Sequence, residues 1–266
     1  MAITTRDGYT AAAAGAQQIT LCKTASRTSV AAIPFSVFDV AGNPGAGTLA
    51  GTSTAAGVVP TDATAGCPTI AAFTGANIGY LNTVEYGSSV ASRLRLYDML
   101  FKAGAYAFNA NTTLASQPSY SSRIPGSNYS GTQIWIEAVT AFTGNPSIAV
   151  TYTNQAGTAA HTTGTIATGA ALTLGRMVQL PLQSGDDGVQ KIESVVATVA
   201  TGGTFNVLVL RPLWSGRCMV ANDGDLHGPD KTLRSQVFAD SALFLQVIAD
   251  STATGIPDLN ISIING

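Results

Sequence analysis

Residues 133–140 read Gln133-Ile134-Trp135-Ile136-Glu137-Ala138-Val139-Thr140. Ile134, Ile136 and Ala138 fall on one side of an extended chain, and Trp135, Glu137 and Val139 on the other, the two-residue period of a strand. Trp135 is therefore expected to lie on the side away from Ile134 and Ile136, at least partly buried against a helix around Tyr97 or at a subunit contact. Glu137 reads as an ordinary outward-facing residue. Gly144-Asn145-Pro146 supplies turn chemistry, and a second run, Ser147–Thr153, follows. The pattern continues through Arg176–Leu182, Val189–Thr198, Thr204–Leu210, Ser235–Ala239, Ala242–Ala249 and Leu259–Ile264. The connections include Asn154–Gly157, Ser184–Gly188 and Thr201–Gly203. Arg211-Pro212 is expected to end its strand, because proline cannot donate to a ladder. Eight strands with turn-rich connections and no helix between them predict an all-β fold, an antiparallel β-sandwich or jelly roll. There is no βαβ alternation to support a doubly wound sheet.

Upstream the chain is less regular. Gln18–Lys23 predicts a short strand, and Ser29–Val40 another, with Pro34 against a central position. Ala41–Gly66 is Gly, Ala, Thr, Pro and Ser with almost no large side chain. Such a stretch cannot bury enough area to offset its own ordering entropy, so it is expected either to be a disordered, solvated loop or to order by packing on something else. Val90, Leu94, Tyr97 and Phe101 share a helical face, with Ser88 or Ser89 as cap and Gly104 as stop, and predict one short helix over Val90–Phe101. Ala110–Gly131 reads as a long surface loop, a length that usually serves contacts. Three regions are expected: 1–88, an extended arm or small β region with the Gly/Ala/Thr-rich loop; 89–132, the helix and surface loop; and 133–266, a β-sandwich that folds independently.

Composition narrows the function. The 266 residues carry 11% charged side chains, where soluble domains average about 25%. The net charge of −2 argues against nucleic acid as a partner, which needs clustered cations. No run of 18 apolar residues exists; Val195–Leu210 is broken by threonines, glycines and an asparagine, so no membrane span is expected. The N-terminus lacks a basic segment followed by an apolar one, which predicts a soluble product of the cytoplasm. Cys22, Cys67 and Cys218 are odd in number and widely spaced, and are expected to be reduced thiols.

Catalytic patterns are scarce. No Walker A, nucleophile-elbow, H-E-x-x-H or dinucleotide fingerprint occurs, and no catalytic residue, cofactor site or metal site is assigned. His161 lies in a Thr/Gly/Ala loop with no carboxylate nearby in sequence. Asp186-Asp187 sits between glycines as a hairpin turn. Asp223, Asp225 and His227 alternate before Gly228 and resemble the start of a calcium loop, but position 234 is Arg where the loop needs Glu, and the segment is expected to be a polar turn. The only glutamates, Glu85, Glu137 and Glu193, are far apart and form no evident glycosidase pair.

Three longer strings carry a resemblance. Arg95-Leu-Tyr-Asp-Met-Leu-Phe-Lys-Ala-Gly-Ala-Tyr106, Gln133–Pro146, and Gly188-Val-Gln-Lys-Ile-Glu-Ser-Val-Val-Ala197 leading to Arg211-Pro-Leu-Trp214 resemble a family of tailed-bacteriophage virion structural proteins, over most of the chain from about Ala91 onwards. The resemblance implies a non-enzymatic structural protein of the virion, made in the host cytoplasm. Its first reading is a capsid cement or decoration protein that binds the major capsid protein shell as a homo-oligomer, with residues 41–66 reaching neighbouring subunits. The alternative is a head–tail adaptor, collar or fibre-base protein whose sandwich binds another virion protein or a glycan. A glycan-active enzyme ranks last.

Overall fold

The computed structural model describes all residues except 1, 2, 4, 52, 75–77, 108–110, 146, 168–171, 198–201, 233, 234 and 266. Pro146, Thr198, Thr201 and Arg234, to which the sequence assigns turn, strand-end or loop roles, lie outside the described residues. In chain order the elements are α1 (Arg6–Ala14), β1 (Gln17–Lys23), β2 (Pro34–Ser36), β3 (Gly42–Asn43), β4 (Ser53–Val58), β5 (Ile78–Ser88), β6 (Ser92–Ala107) and β7 (Thr112–Thr113). Two turns of 3-10 helix follow at Ser121–Arg123 and Pro125–Ser127. Then come β8 (Gln133–Thr140), β9 (Ser147–Asn154), β10 (His161–Thr162), β11 (Ile166–Ala167), β12 (Met177–Leu180), β13 (Val189–Ala197), β14 (Thr204–Cys218), β15 (Asp223–His227), α2 (Pro229–Thr232), β16 (Gln236–Phe238), β17 (Leu243–Ala249) and β18 (Pro257–Asn265). The fold is all-β and antiparallel, a layered sandwich, as the strand spacing predicts.

Three sheets make the layers. The central one runs β12-β8-β14-β6-β17-β2, with β4 also on β6; a second runs β15-β5-β18-β1-β3, with β16 on β5; a third runs β10-β9-β13-β7, with β11 on β9. The long pair β6–β14 is the spine. Its register shifts between Val209↔Phe101 and Leu210↔Met99, so Leu100 is an extra residue on β6. That bulge leaves Leu94, Leu96, Leu100, Phe101 and Ala103 on one face and Tyr97, Met99 and Lys102 on the other.

The first face carries two apolar cores. At one end Leu94, Leu96, Leu213 and Trp214 pack with Leu81, Val84, Leu259 and Ile261 of the second sheet. At the other, Phe101, Ala103, Ile134, Ile136, Val207 and Val209 pack with Val150, Tyr152, Ile192 and Val195 of the third. The opposite face holds Tyr97, Met99, Trp135, Leu208, Leu210 and Phe244 under Phe38 and Cys67. Trp135 is 2% exposed and meets the Tyr97 ring edge-on at 6.2 Å, the burial that the alternation predicts.

Several expectations need correction. Residues 90–101 are not a helix: Ser92 onward is the central strand β6, and the one helix of some length is α1. Because both faces of β6 are covered, apolar residues occur on both, and a helical period can be drawn through them by accident. Pro212 does not end β14, which continues to Cys218; a register shift at Pro212/Trp214 absorbs the missing donor. Residues 111–131 are a largely exposed connection, as expected, but they are pinned to the body: Tyr120 and Arg123 are buried, and the Tyr120 hydroxyl donates to the Val189 carbonyl at 3.0 Å.

Residues 41–66 order against their own chain. Asn43 pairs with Cys22, and Ser53 and Val58 pair with Gly104 and Lys102. The Thr48, Leu49 and Thr54 carbonyls accept from Lys102 Nζ (2.8 Å), Asn206 Nδ2 (2.5 Å) and the Tyr106 hydroxyl (2.8 Å). The scarcity of large side chains follows from this closeness: at Gly57, with φ +69°, a Cβ would stand 2.2 Å from the Phe101 ring.

The boundary at 133 also falls inside one sheet, because β6 lies between β14 and β17. A fragment beginning at Ser127 lacks that strand and residues 34–67. It is expected to show no cooperative melt by circular dichroism, whereas the full chain melts cooperatively; a cooperative fragment would restore the independent sandwich.

Candidate functional site

Asp98 is fully buried and accepts from Arg211 Nη2 (3.0 Å), the Ser241 hydroxyl (2.9 Å) and the Ala242 amide (3.1 Å), with Arg123 Nη1 at 3.2 Å. Arg123, 0% exposed, donates onward to the Asp240 and Met99 carbonyls at 2.8 and 2.9 Å. Arg211 donates to the Gln236 carbonyl at 3.0 Å and lies against the Phe238 ring. These groups hold backbone in place and face no open cleft.

Glu137 is 1% exposed, which corrects the expectation of an outward side chain. It lies on the Trp135 face, which residues 34–67 cover. Asn206 Nδ2 donates to its Oε2 at 2.8 Å, and Asn206 Oδ1 accepts from the Gly51 amide at 3.0 Å. Burial pushes the Glu137 carboxyl up, with Lys102 and Asn206 opposing. Burial also pulls the Lys102 ammonium down, and this ammonium sits 5.1 Å from the Phe38 ring centre. A buried carboxyl of raised pKa is a candidate general acid in an open site, but this one is spent on anchoring residues 48–51.

The fold makes one pairing that sequence distance hides. His161 Nδ1 lies 2.6 Å from Asp186 Oδ2, which also accepts from the Tyr152 hydroxyl at 2.6 Å, while Asn154 Nδ2 donates to Oδ1 at 2.8 Å. Burial works to raise the Asp186 carboxyl, but the hydrogen bonds from Tyr152, Asn154 and His161 outweigh it and hold the group below the usual range. An ionised carboxylate only accepts, so Nδ1 carries the His161 proton. The His–Asp half of a hydrolytic relay is thus present. No described hydroxyl or thiol is bonded to the other ring nitrogen, and the cluster ties the 184–188 turn to β9 and β10.

Residues 223–227 form the edge strand β15 on β5, which corrects the expectation of a polar turn. His227 Nδ1 accepts from the Trp214 indole at 2.9 Å, and Nε2 stands 3.3 Å from the Tyr86 hydroxyl. Burial lowers the His227 pKa, with Lys231 adding to the effect. Its Nδ1 lone pair is already used, and among the described residues no three His, Cys, Asp or Glu side chains converge as metal ligands. Cys22, Cys67 and Cys218 are free thiols, and burial pushes Cys67 up to about 12, so it stays protonated.

What remains open is surface. A groove of about 630 Å³ lies where residues 34–67 leave the second face of the central sheet uncovered, with Arg93, Arg95, Arg176 and Arg217 around Trp135 and Met177. The sequence contains 13 Lys and Arg, so four arginines in one groove of a chain with net charge −2 are a marked concentration. Sequence reading missed it because Arg176 comes from a loop far from β6. Arginine around a buried aromatic is a composition typical of protein contacts. No helix among the described residues is long and apolar enough to cross a membrane. No protein-family model, curated protein or solved structure matches the chain.

Raised Glu137 has a pH signature. Between the unfolded and folded pKa values the native state holds the extra proton, so stability falls as pH rises through that window. Melts from about pH 4 to about pH 8 should show this fall, and Glu137→Gln should remove it; an identical slope in both proteins would assign the titration elsewhere.

Proposed function

We propose that the chain is a structural component of a tailed-phage virion, a capsid cement or decoration protein that lies on the major capsid protein shell. The observation that carries this reading is how the ionisable residues are used. Asp98, Arg123, Arg211, Glu137, Lys102 and Asp186 each bind strands, turns or the covering N-terminal segment together. The exposed arginine groove is suited to contact rather than to bond making. A protein that reinforces a shell needs this: a rigid sheet body held by many non-local pairings and a surface for neighbours. The three strings that resemble virion structural proteins lie on the body itself, over β6, β8, β13 and β14. Residues 41–66 already cover their own sheet, so contact with the shell is assigned to the outer surface.

Purified particles test the proposal by stoichiometry and by removal. On a quantitative gel the protein should approach the copy number of the major capsid protein. Particles assembled without it should release their contents at lower temperature, and adding the purified protein back should restore their stability. A ring-like copy number far below that of the shell would place it in the neck or fibre base. Absence from particles would refute a virion role.

A further inference from the structure

We infer that the arginine groove is the docking site for a second copy of this chain, and that the exposed segment 219–226 of that copy is what it takes. This goes beyond the virion assignment and does not depend on it.

The groove is not explained by stability. Arg93 and Arg217 stand directly opposite each other across β6 and β14, and like charges in that position destabilise a sheet. Compensation within the chain is thin. Arg217 reaches Asp250 only at 3.9 Å with both side chains about half exposed, and Arg95 reaches the neutral Gln246 at 3.4 Å. The Arg176 Nε is buried without a partner among the described residues. The groove therefore lacks acceptors that a ligand of opposite charge would supply, and its apolar floor asks for apolar groups beside those acceptors.

The segment 219–226, which leaves the central sheet after β14 and joins the second sheet as β15, offers both. Met219, Val220 and Leu226 are 66%, 61% and 58% exposed, and Asp223 and Asp225 lie between them on exposed β15. β15 pairs with β5 on one side only, an open edge that natural sheets normally cover or blunt. It is also held firmly: the Trp214–His227 hydrogen bond and the edge-on Tyr86 ring fix its end, so little order is lost on docking.

A second copy fits better than an unrelated acidic partner because of where the two features sit. Met219 follows Arg217 by two residues, so groove and segment adjoin in each chain. A two-fold axis between them lets each copy place its 219–226 segment in the other's groove, the closed, self-complementary arrangement favoured in homo-oligomers. It covers both open edges, where a one-way contact would leave one exposed.

The test is a charge exchange on the full chain, read by sedimentation velocity, with far-UV circular dichroism confirming each fold. The wild type should be a dimer that shifts toward monomer as salt rises from about 0.1 M to about 1 M. R93E/R217E, with acid facing acid, and D223R/D225R, with base facing base, should each be monomeric. Mixed at equal concentration they should form a one-to-one heterodimer, since both contacts regain opposite charges. If a charge variant fails to fold, M219S/L226S on exposed positions should still weaken the dimer at least tenfold. A monomeric wild type, variants that dimerise like the wild type, or a mixture that stays monomeric would each overturn the inference; a monomeric wild type that retains an acidic partner would assign the groove to that partner.

Discussion

Asp98 lies fully buried between the two apolar cores on one face of the central sheet, and the rest of the structure is arranged around its satisfaction. A carboxylate in that position costs several kcal/mol unless charge and hydrogen bonds replace water. Four donors do so, and they come from three different parts of the chain. Arg123 arrives from the connection between β7 and β8, Arg211 from β14, and Ser241 and Ala242 from the turn before β17. One residue thus fixes the positions of segments separated by more than a hundred positions in sequence. It also marks the seam where the second and third sheets hand over the central one. The charge is better suited to specifying this arrangement than to adding net stability, because a well-packed apolar replacement often serves stability as well.

The other face follows a different rule. Residues 34–67 cover it closely enough that backbone, not side chain, makes many of the contacts. Lys102, Asn206 and Tyr106 rise from the sheet to hold the Thr48, Leu49 and Thr54 carbonyls. Large side chains there would push the segment away, so its composition of Gly, Ala and Thr is a consequence of proximity. Where the cover stops, beyond Tyr97, the same face turns to arginine. The sheet therefore changes from a covered surface to an open, arginine-lined one along its own strands.

This explains which parts were legible in sequence. Strands β8, β9, β13, β17 and β18 read clearly, because two-residue alternation or a short apolar run between turn residues marked each one. β6 did not, for two physical reasons: both of its faces are buried, and the extra Leu100 breaks the alternation midway. Residues 41–66 were read as lacking the side chains to order alone, but the surface that they lie on, the chain's own sheet, could not be inferred from composition. Glu137 looked like a solvent-facing residue because alternation reports sides, not what covers them. The His161–Asp186 pair and the arginine groove are invisible to any local pattern, since strand pairing alone brings their members together. The Asp223–His227 motif misled in the other direction: its alternation is that of an edge strand, with His227 turned onto Trp214.

The central claim is that the Asp98 cluster joins both cores into one cooperative unit. Calorimetry of the wild type and of Asp98→Asn tests it most directly. The wild type should unfold in a single transition. The variant, with Arg123 and Arg211 left facing each other, should lose about 3–5 kcal/mol, the usual consequence of removing one partner from a buried ion pair, and its two cores should no longer melt as a single sharp transition. Two separate transitions in the wild type, or an unchanged melting temperature in the variant, would contradict the account.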